Sequence, residues 1–203
     1  MASILLFHSV LGLRPVELAA AEMIRRAGHS ALTPDLYDGA TADTVEGGMA
    51  LKDAIGWERI CERTMMAVDT LPPATVLAGF SMGCGVVASV WPERPETRGI
   101  LLLHALADIP DVPVNNLRAQ LHLGERDGFW SADDRMTWQS ERHGTAWRRK
   151  YSSTRAQGIS TPIQARPIIR LWRRAKPGNG CCGSWTETQP NGRHEGRNGS
   201  TRS

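Results

Sequence analysis

The sequence predicts an α/β fold, a mostly parallel sheet with helices on both faces. Three observations carry that expectation. Short apolar runs alternate along the chain with segments of helical spacing. The central runs, Thr75–Ala78 and Gly99–His104, are apolar throughout instead of alternating, as strands covered on both faces are. Residues able to do chemistry (His8, Ser81, His104 and Asp127) recur at or just after the ends of such runs. In open α/β sheets the carboxyl ends of the strands are where sites form.

The elements follow in order. Ser3–His8 reads as a buried strand. Pro15 opens a helix through Leu18, Ala21, Glu22, Ile24 and Arg25, and Gly28 stops it. Ala31–Thr33 is a short second strand closed by Pro34-Asp35. Residues 45–71 read as helical, with Ile55, Ile60, Met65 and Val68 roughly on one face and a break at Gly56. Thr75–Ala78 is the third strand, Ser81–Trp91 a helix ended by Pro92, and Gly99–His104 the fourth strand. Leu117–Leu123 is another strand and Ala132–Ser140 a short helix.

After about residue 145 the text changes. It becomes rich in Arg, Gly, Ser, Thr and Pro, with apolar scraps such as Ile168-Ile169 and Leu171-Trp172, and no strand or helix period. The expected division is a core over residues 1–145 and a low-order basic tail over 146–203, with 175–203 disordered on composition. Residues 1–150 hold 15 Lys/Arg against 19 Asp/Glu, while 151–203 hold 9 against 2. The net +3 is thus an acidic body joined to a basic tail. A basic tail can attract nucleic acid.

With 203 residues, one domain with a sizeable core is expected. No apolar run is long enough to span a bilayer, and the N-terminus lacks the basic segment of a signal peptide. Cysteines 61, 84, 181 and 182 fit neither a zinc site nor a disulfide framework. The expected setting is reducing and cytoplasmic.

The most informative stretch is Gly79-Phe80-Ser81-Met82-Gly83, set between a strand and a helix. A strand-to-helix turn this tight strains the serine backbone and leaves room only for small residues two before and two after it. The hydroxyl then stands at a helix N-terminus beside N–H groups able to hold an oxyanion. Two rival readings exist. Ser81 could merely cap the helix in a tightly packed turn. Alternatively, Gly79, Gly83 and Gly85 match the nucleotide loop of short-chain dehydrogenases. That loop normally follows the first strand rather than the third, and no Tyr-x-x-x-Lys pair is present.

"ILLFHSVLGL", "TPDLYDG", "LAGFSMGCGVV", "GILLLHAL" and "LHLGERDGF", in that order, resemble the dienelactone hydrolase-like branch of the α/β-hydrolases over residues 2–140. The resemblance implies hydrolysis of an ester, lactone or thioester-like acyl bond by a nucleophile, an acid and a histidine in that chain order. Ser81 takes the nucleophile position, where dienelactone hydrolases proper have cysteine. Asp127 takes the position of the acid that would orient the histidine; on its own it also reads as a turn-forming Asp before Gly128. The oxyanion hole would come from the backbone N–H groups of Val10 and Met82. Ser9 stands where lactone-specific members carry glutamate, which argues against a dienelactone substrate. His8, Ser9, Tyr37 and His104 are candidate pocket-lining residues. Neither a cofactor nor a metal is implied, and the expected partner is a small-molecule substrate, without membrane or nucleic acid.

The histidine is missing from its expected context. His143 lies 16 residues after Asp127 and His194 sits in the polar tail. Neither occupies the Gly-x-Gly-His loop of the family. His8 and His104 come too early in chain order, and His104 reads more simply as a strand-end histidine satisfied by a backbone carbonyl. His122, inside a strand, reads as sheet surface or core.

A displaced reading frame supplies what is absent. Starting at the last base of the Lys150 codon, suitable third bases give Val-Leu-Val-Tyr-Pro-Gly-Ala-Gly-His-Leu-Tyr-Thr-Asp-Pro. That is the family's strand, loop and histidine, with the histidine codon straddling Gly158 and Ile159. The expectation is a frame change between about residues 140 and 147, with out-of-frame text beyond it. A core strand and the last helix would then be lost, exposing apolar sheet edge. Three functions follow as alternatives: a serine acyl hydrolase of doubtful activity, a binding pseudoenzyme that keeps the pocket without turnover, and an NAD(P)-dependent oxidoreductase.

Overall fold

The computed structural model describes residues 1–107, 118–124, 130, 131, 133, 134, 136 and 137, and the backbone of 148–154. Six strands form one sheet in the order β2-β1-β3-β4-β5-β6, and every strand pairing is parallel. The strands are β1 (Ser3–Phe7), β2 (Ser30–Leu32), β3 (Val76–Phe80), β4 (Gly99–Leu103), β5 (Arg118–Gly124) and β6 (Arg148–Thr154). The helices are α1 (Pro15–Arg26), α2 (Val45–Ile55), α3 (Trp57–Asp69) and α4 (Met82–Val90), with a 3-10 turn at Trp91–Glu93.

Side chains alternate across each strand, so the apolar strands feed two cores. Leu5, Phe7, Leu77, Leu102 and Leu121 belong to one, with Ile60 and Val68 of α3 and Val86, Val87 and Val90 of α4. Ile4, Leu6, Val76, Ala78, Leu101 and Leu103 form the other, against Ala20 and Ile24 of α1. Each such leucine taken from water contributes on the order of 2 kcal/mol. The predicted two-sided sheet is what forms, and α1 and α4 lie on opposite faces.

The chain passes from β1 outward to β2, then crosses back so that β3 lies on the other side of β1. Strand order therefore reverses between β1 and β3. Segments leaving the carboxyl ends of these two strands diverge to opposite faces, opening the crevice in which doubly wound sheets carry sites.

Most elements fall where the sequence predicts them, with shifted ends. The expected break at Gly56 has φ 84°, a left-handed backbone that suits glycine, and it separates α2 from α3. The third strand extends two residues past Ala78, and α4 starts at Met82, leaving Ser81 alone between them. Positions 133, 134, 136 and 137 are helical, inside the expected Ala132–Ser140 helix.

One expectation is corrected: no strand was predicted after residue 145, yet β6 pairs with β5 from Arg118↔Arg148 to Gly124↔Thr154. A ladder is made by backbone groups, so a strand can add to an open edge without an apolar pattern. The rest of the 146–203 tail lies outside the described residues. No helix among the described residues is long and apolar enough to cross a membrane.

Candidate active site at the β3–α4 elbow

Ser81 sits between β3 and α4 with φ 48° and ψ −110°, a conformation that L-residues rarely adopt. Strain of this kind costs on the order of 1–3 kcal/mol and persists only where the surroundings enforce it. Here they do. The Ser81 N–H donates to the Leu103 carbonyl at 2.8 Å, and the Cys84 N–H donates to the Ser81 carbonyl at 2.8 Å.

The flanking glycines have a steric cause. A Cβ on Gly79 would lie 2.1 Å from the Gly83 carbonyl oxygen. A Cβ on Gly83 would lie 2.7 Å from the Phe7 oxygen and 2.9 Å from the His8 oxygen. All these contacts are backbone, so nothing can swing aside. The Gly-x-Ser-x-Gly spacing is therefore the condition for α4 to start directly against the end of β1.

The Ser81 side chain does not cap α4, and its Oγ makes no hydrogen bond among the described residues. The capping reading of Ser81 is thus not what the chain does. Ser81 is partly exposed, at the first turn of α4. The Met82 N–H is the first of the helix and has no intrahelical acceptor. Val10 lies in the loop after β1 and is buried, and its N–H also lacks an acceptor among the described residues. Among the described residues the two expected oxyanion donors are thus uncommitted N–H groups, on segments that meet at Gly83.

Beneath the elbow, the buried Cys84 thiol donates to the Gly79 carbonyl at 3.1 Å. Burial pushes that thiol up to about 12, so it stays protonated. Although dienelactone hydrolases proper use cysteine as nucleophile, this one is packing.

The histidines differ in what their atoms are doing. His8 is fully buried. Its Nε2 accepts from the Leu36 N–H at 3.0 Å, which leaves the proton on Nδ1 to donate to the Ser9 carbonyl at 2.7 Å. Burial lowers its pKa, so it is a neutral strut with its lone pair already taken. Tyr37 stands edge-on to His8, with ring centroids 4.8 Å apart. It is 2 % exposed and donates its hydroxyl to Met82 Sδ at 3.1 Å. Burial raises its pKa as well.

His104 follows β4 with φ 64° and stacks on Phe80 at 6.3 Å, one residue before Ser81. Its N–H donates to the His122 carbonyl at 2.8 Å. His122 itself is buried in β5. Asp127, His143 and His194 lie outside the described residues. The structure thus brings Ser81, Met82, Val10, Ser9, Tyr37 and His104 to one end of the sheet.

Sequence reading overlooked Glu17. This α1 carboxylate is 1 % exposed and accepts the Ser9 hydroxyl at 2.9 Å and the Arg14 N–H at 3.2 Å. Its sequence carries a partial signal: Glu17 is three residues after the helix-start residue Arg14, the position from which an acid reaches back to the helix entrance, which says nothing of its burial. No group of three or more potential ligands able to hold a metal occurs among the described residues.

The chain matches no protein-family model and no curated protein. It does resemble solved structures. A dienelactone hydrolase-like promiscuous phosphotriesterase from metagenomic libraries superposes with a TM-score of 0.63 at 14% identity, over 84% of this chain and 77% of that one. The thioesterase domain from the curacin biosynthetic pathway gives 0.55 at 12% identity, over 75% and 84%. A phospholipase/carboxylesterase from Dyadobacter fermentans gives 0.54 at 12% identity, over 78% and 84%. The fold is that of the α/β-hydrolases, and at these identities the likeness speaks for the fold alone.

Proposed function

We propose that this chain is a serine acyl hydrolase of the dienelactone hydrolase-like kind, acting on a small ester, lactone or thioester. One observation carries the reading. Ser81 is held in a strained backbone conformation, and among the described residues neither its hydroxyl nor the Val10 and Met82 N–H groups have a hydrogen-bond partner.

The chemistry is two-step acyl transfer. Ser81 Oγ attacks the acyl carbonyl and its proton passes to a histidine base. The carbonyl oxygen becomes an oxyanion held by the Val10 and Met82 N–H groups, each such donor worth roughly 3 kcal/mol in the transition state. The alcohol or thiol then leaves with the proton, and water releases the acid by the same route. Asp127 orients the base.

The base belongs to the displaced frame, at the codon straddling Gly158 and Ile159. The polar text of β6 supports this, because it occupies the place where that frame reads Val-Leu-Val-Tyr. Sequencing the coding DNA across residues 138–160 checks the frame: absence of that string in every frame removes the proposal. As translated, the chain lacks this base and reacts slowly.

A fluorophosphonate probe tests the nucleophile. Because the adduct is irreversible, even slow reaction accumulates to a measurable mass. A single adduct mapped to Ser81 and absent from Ser81→Ala is expected. An unlabelled Ser81, combined with ligand-induced thermal shifts and no product, would favour a binding protein.

A further inference from the structure

We infer that Glu17 is a positioning residue for the oxyanion hole: its buried carboxylate fixes the loop that aims the Val10 N–H at Ser81. The inference rests on the acyl-hydrolase reading of Ser81 and goes beyond it.

A carboxylate at 1 % exposure is costly to bury unless donors surround it. Glu17 has them from both ends of one short loop. Oε1 accepts the Ser9 hydroxyl at 2.9 Å and faces the Ser9 N–H at 3.5 Å. Oε2 accepts the Arg14 N–H at 3.2 Å, and the Arg14 guanidinium lies 3.8 Å from Oε1. Ser9 passes the constraint on, since its Oγ accepts the Leu11 N–H at 3.4 Å while its carbonyl accepts the Gly12 N–H at 3.1 Å. Val10 is the residue between these tethers.

The other side of the loop is set by backbone packing. The Leu11 carbonyl accepts the Ala42 N–H at 3.0 Å. A Cβ on Gly48 of α2 would fall 2.6 Å from the Val10 oxygen, and one on Gly12 2.4 Å from the Ala40 oxygen. The Ser9 carbonyl accepts from His8 Nδ1 and from the Gly12 N–H, and in a trans peptide the Val10 N–H faces the opposite side of the plane it shares with that carbonyl. Every amide around Val10 has an acceptor, while the Val10 N–H has none among the described residues. Glu17 thus ties both ends of this loop, Ser9 and Arg14, to α1.

Removing an anchor of this kind should loosen the donor without altering the nucleophile. A displaced donor costs roughly 10- to 100-fold in the chemical step. The experiment follows the rate of Ser81 adduct formation with a fluorophosphonate on the full chain, across probe concentrations, together with amide hydrogen exchange over residues 8–14. Glu17→Ala should lower the limiting rate by about 10- to 100-fold with little change in half-saturating probe concentration, and speed exchange at Leu11 and Gly12. Glu17→Gln keeps an acceptor and should recover much of both. Ser9→Ala should lie between them and serves if Glu17→Ala does not fold.

Folded variants with the parent rate and parent exchange overturn the inference. Slowing through the half-saturating concentration alone does so too. If the parent chain takes no adduct at Ser81, the hydrolase reading falls separately. Exchange over residues 8–14 then decides whether Glu17 holds the loop, and unchanged exchange in Glu17→Ala overturns that as well.

Discussion

Strands β4 and β6 belong to the same parallel sheet and could hardly read more differently. β4 is Gly-Ile-Leu-Leu-Leu, buried along its length. β6 is Arg-Arg-Lys-Tyr-Ser-Ser-Thr, registered beside Leu121, His122 and Leu123 of β5. At the β4 side, sequence and position agree, because a strand covered on both faces is built from apolar residues. At the β6 side the backbone ladder is in place, but the text is that of a solvated segment. Backbone pairing tolerates almost any sequence, whereas two-sided burial does not. A strand can therefore take its place in a sheet without an apolar sequence of its own. Ser81 and the Val10 and Met82 N–H groups follow the apolar strands β3 and β1.

Substitutions should separate the two regions in graded steps. The largest stability loss is expected from Gly79→Ala. Its Cβ would meet the Gly83 carbonyl at 2.1 Å with no mobile atom to yield, so the cost should exceed about 3 kcal/mol and leave little folded protein by circular dichroism. Leu102→Ala in β4 should cost about 3 kcal/mol by urea denaturation, since the side chain is fully buried.

His8 supplies a smaller, pH-dependent effect. It is neutral when folded and takes up a proton near 6.5 when unfolded. The unfolded state therefore binds more protons below that pH. Stability should be full above pH 6.5 and fall as the pH drops, by at most about 1.4 kcal/mol per unit, with His8→Gln showing a flatter slope. The smallest effect is expected on the other side. Ending the chain after Thr154 should change stability by less than about 0.5 kcal/mol if the remaining text adds no packing. A loss of several kcal/mol there would mean that the tail is part of the fold.

The legible features were those with a local steric cause. Gly79 and Gly83 announce an elbow because no larger residue fits at those two positions, and Gly56 announces a break because its φ is positive. The apolar strands announced the sheet, since two-sided burial demands them. Glu17 was less visible. Its role arises from a loop returning to its own helix, and nothing in its immediate neighbourhood marks it as buried. The ends of β3 and α4 were misjudged because Gly79, Phe80 and Ser81 look like a turn, whereas two of them complete the strand. β6 was illegible because its pairing comes from the backbone and leaves no pattern in the side chains. His8 looked like a candidate for the site, and only its two partners show it to be a strut.

The central claim is that the Ser81 elbow works with a base written in the neighbouring frame. Its direct test is p-nitrophenyl acetate turnover by the chain as it stands and by a variant with one nucleotide changed in length between residues 140 and 147. The restored chain should turn over faster by a factor on the order of a million, the usual cost of losing such a histidine, and Ser81→Ala should abolish the gain. A restored chain no faster than the original, or a gain that survives Ser81→Ala, would contradict the account.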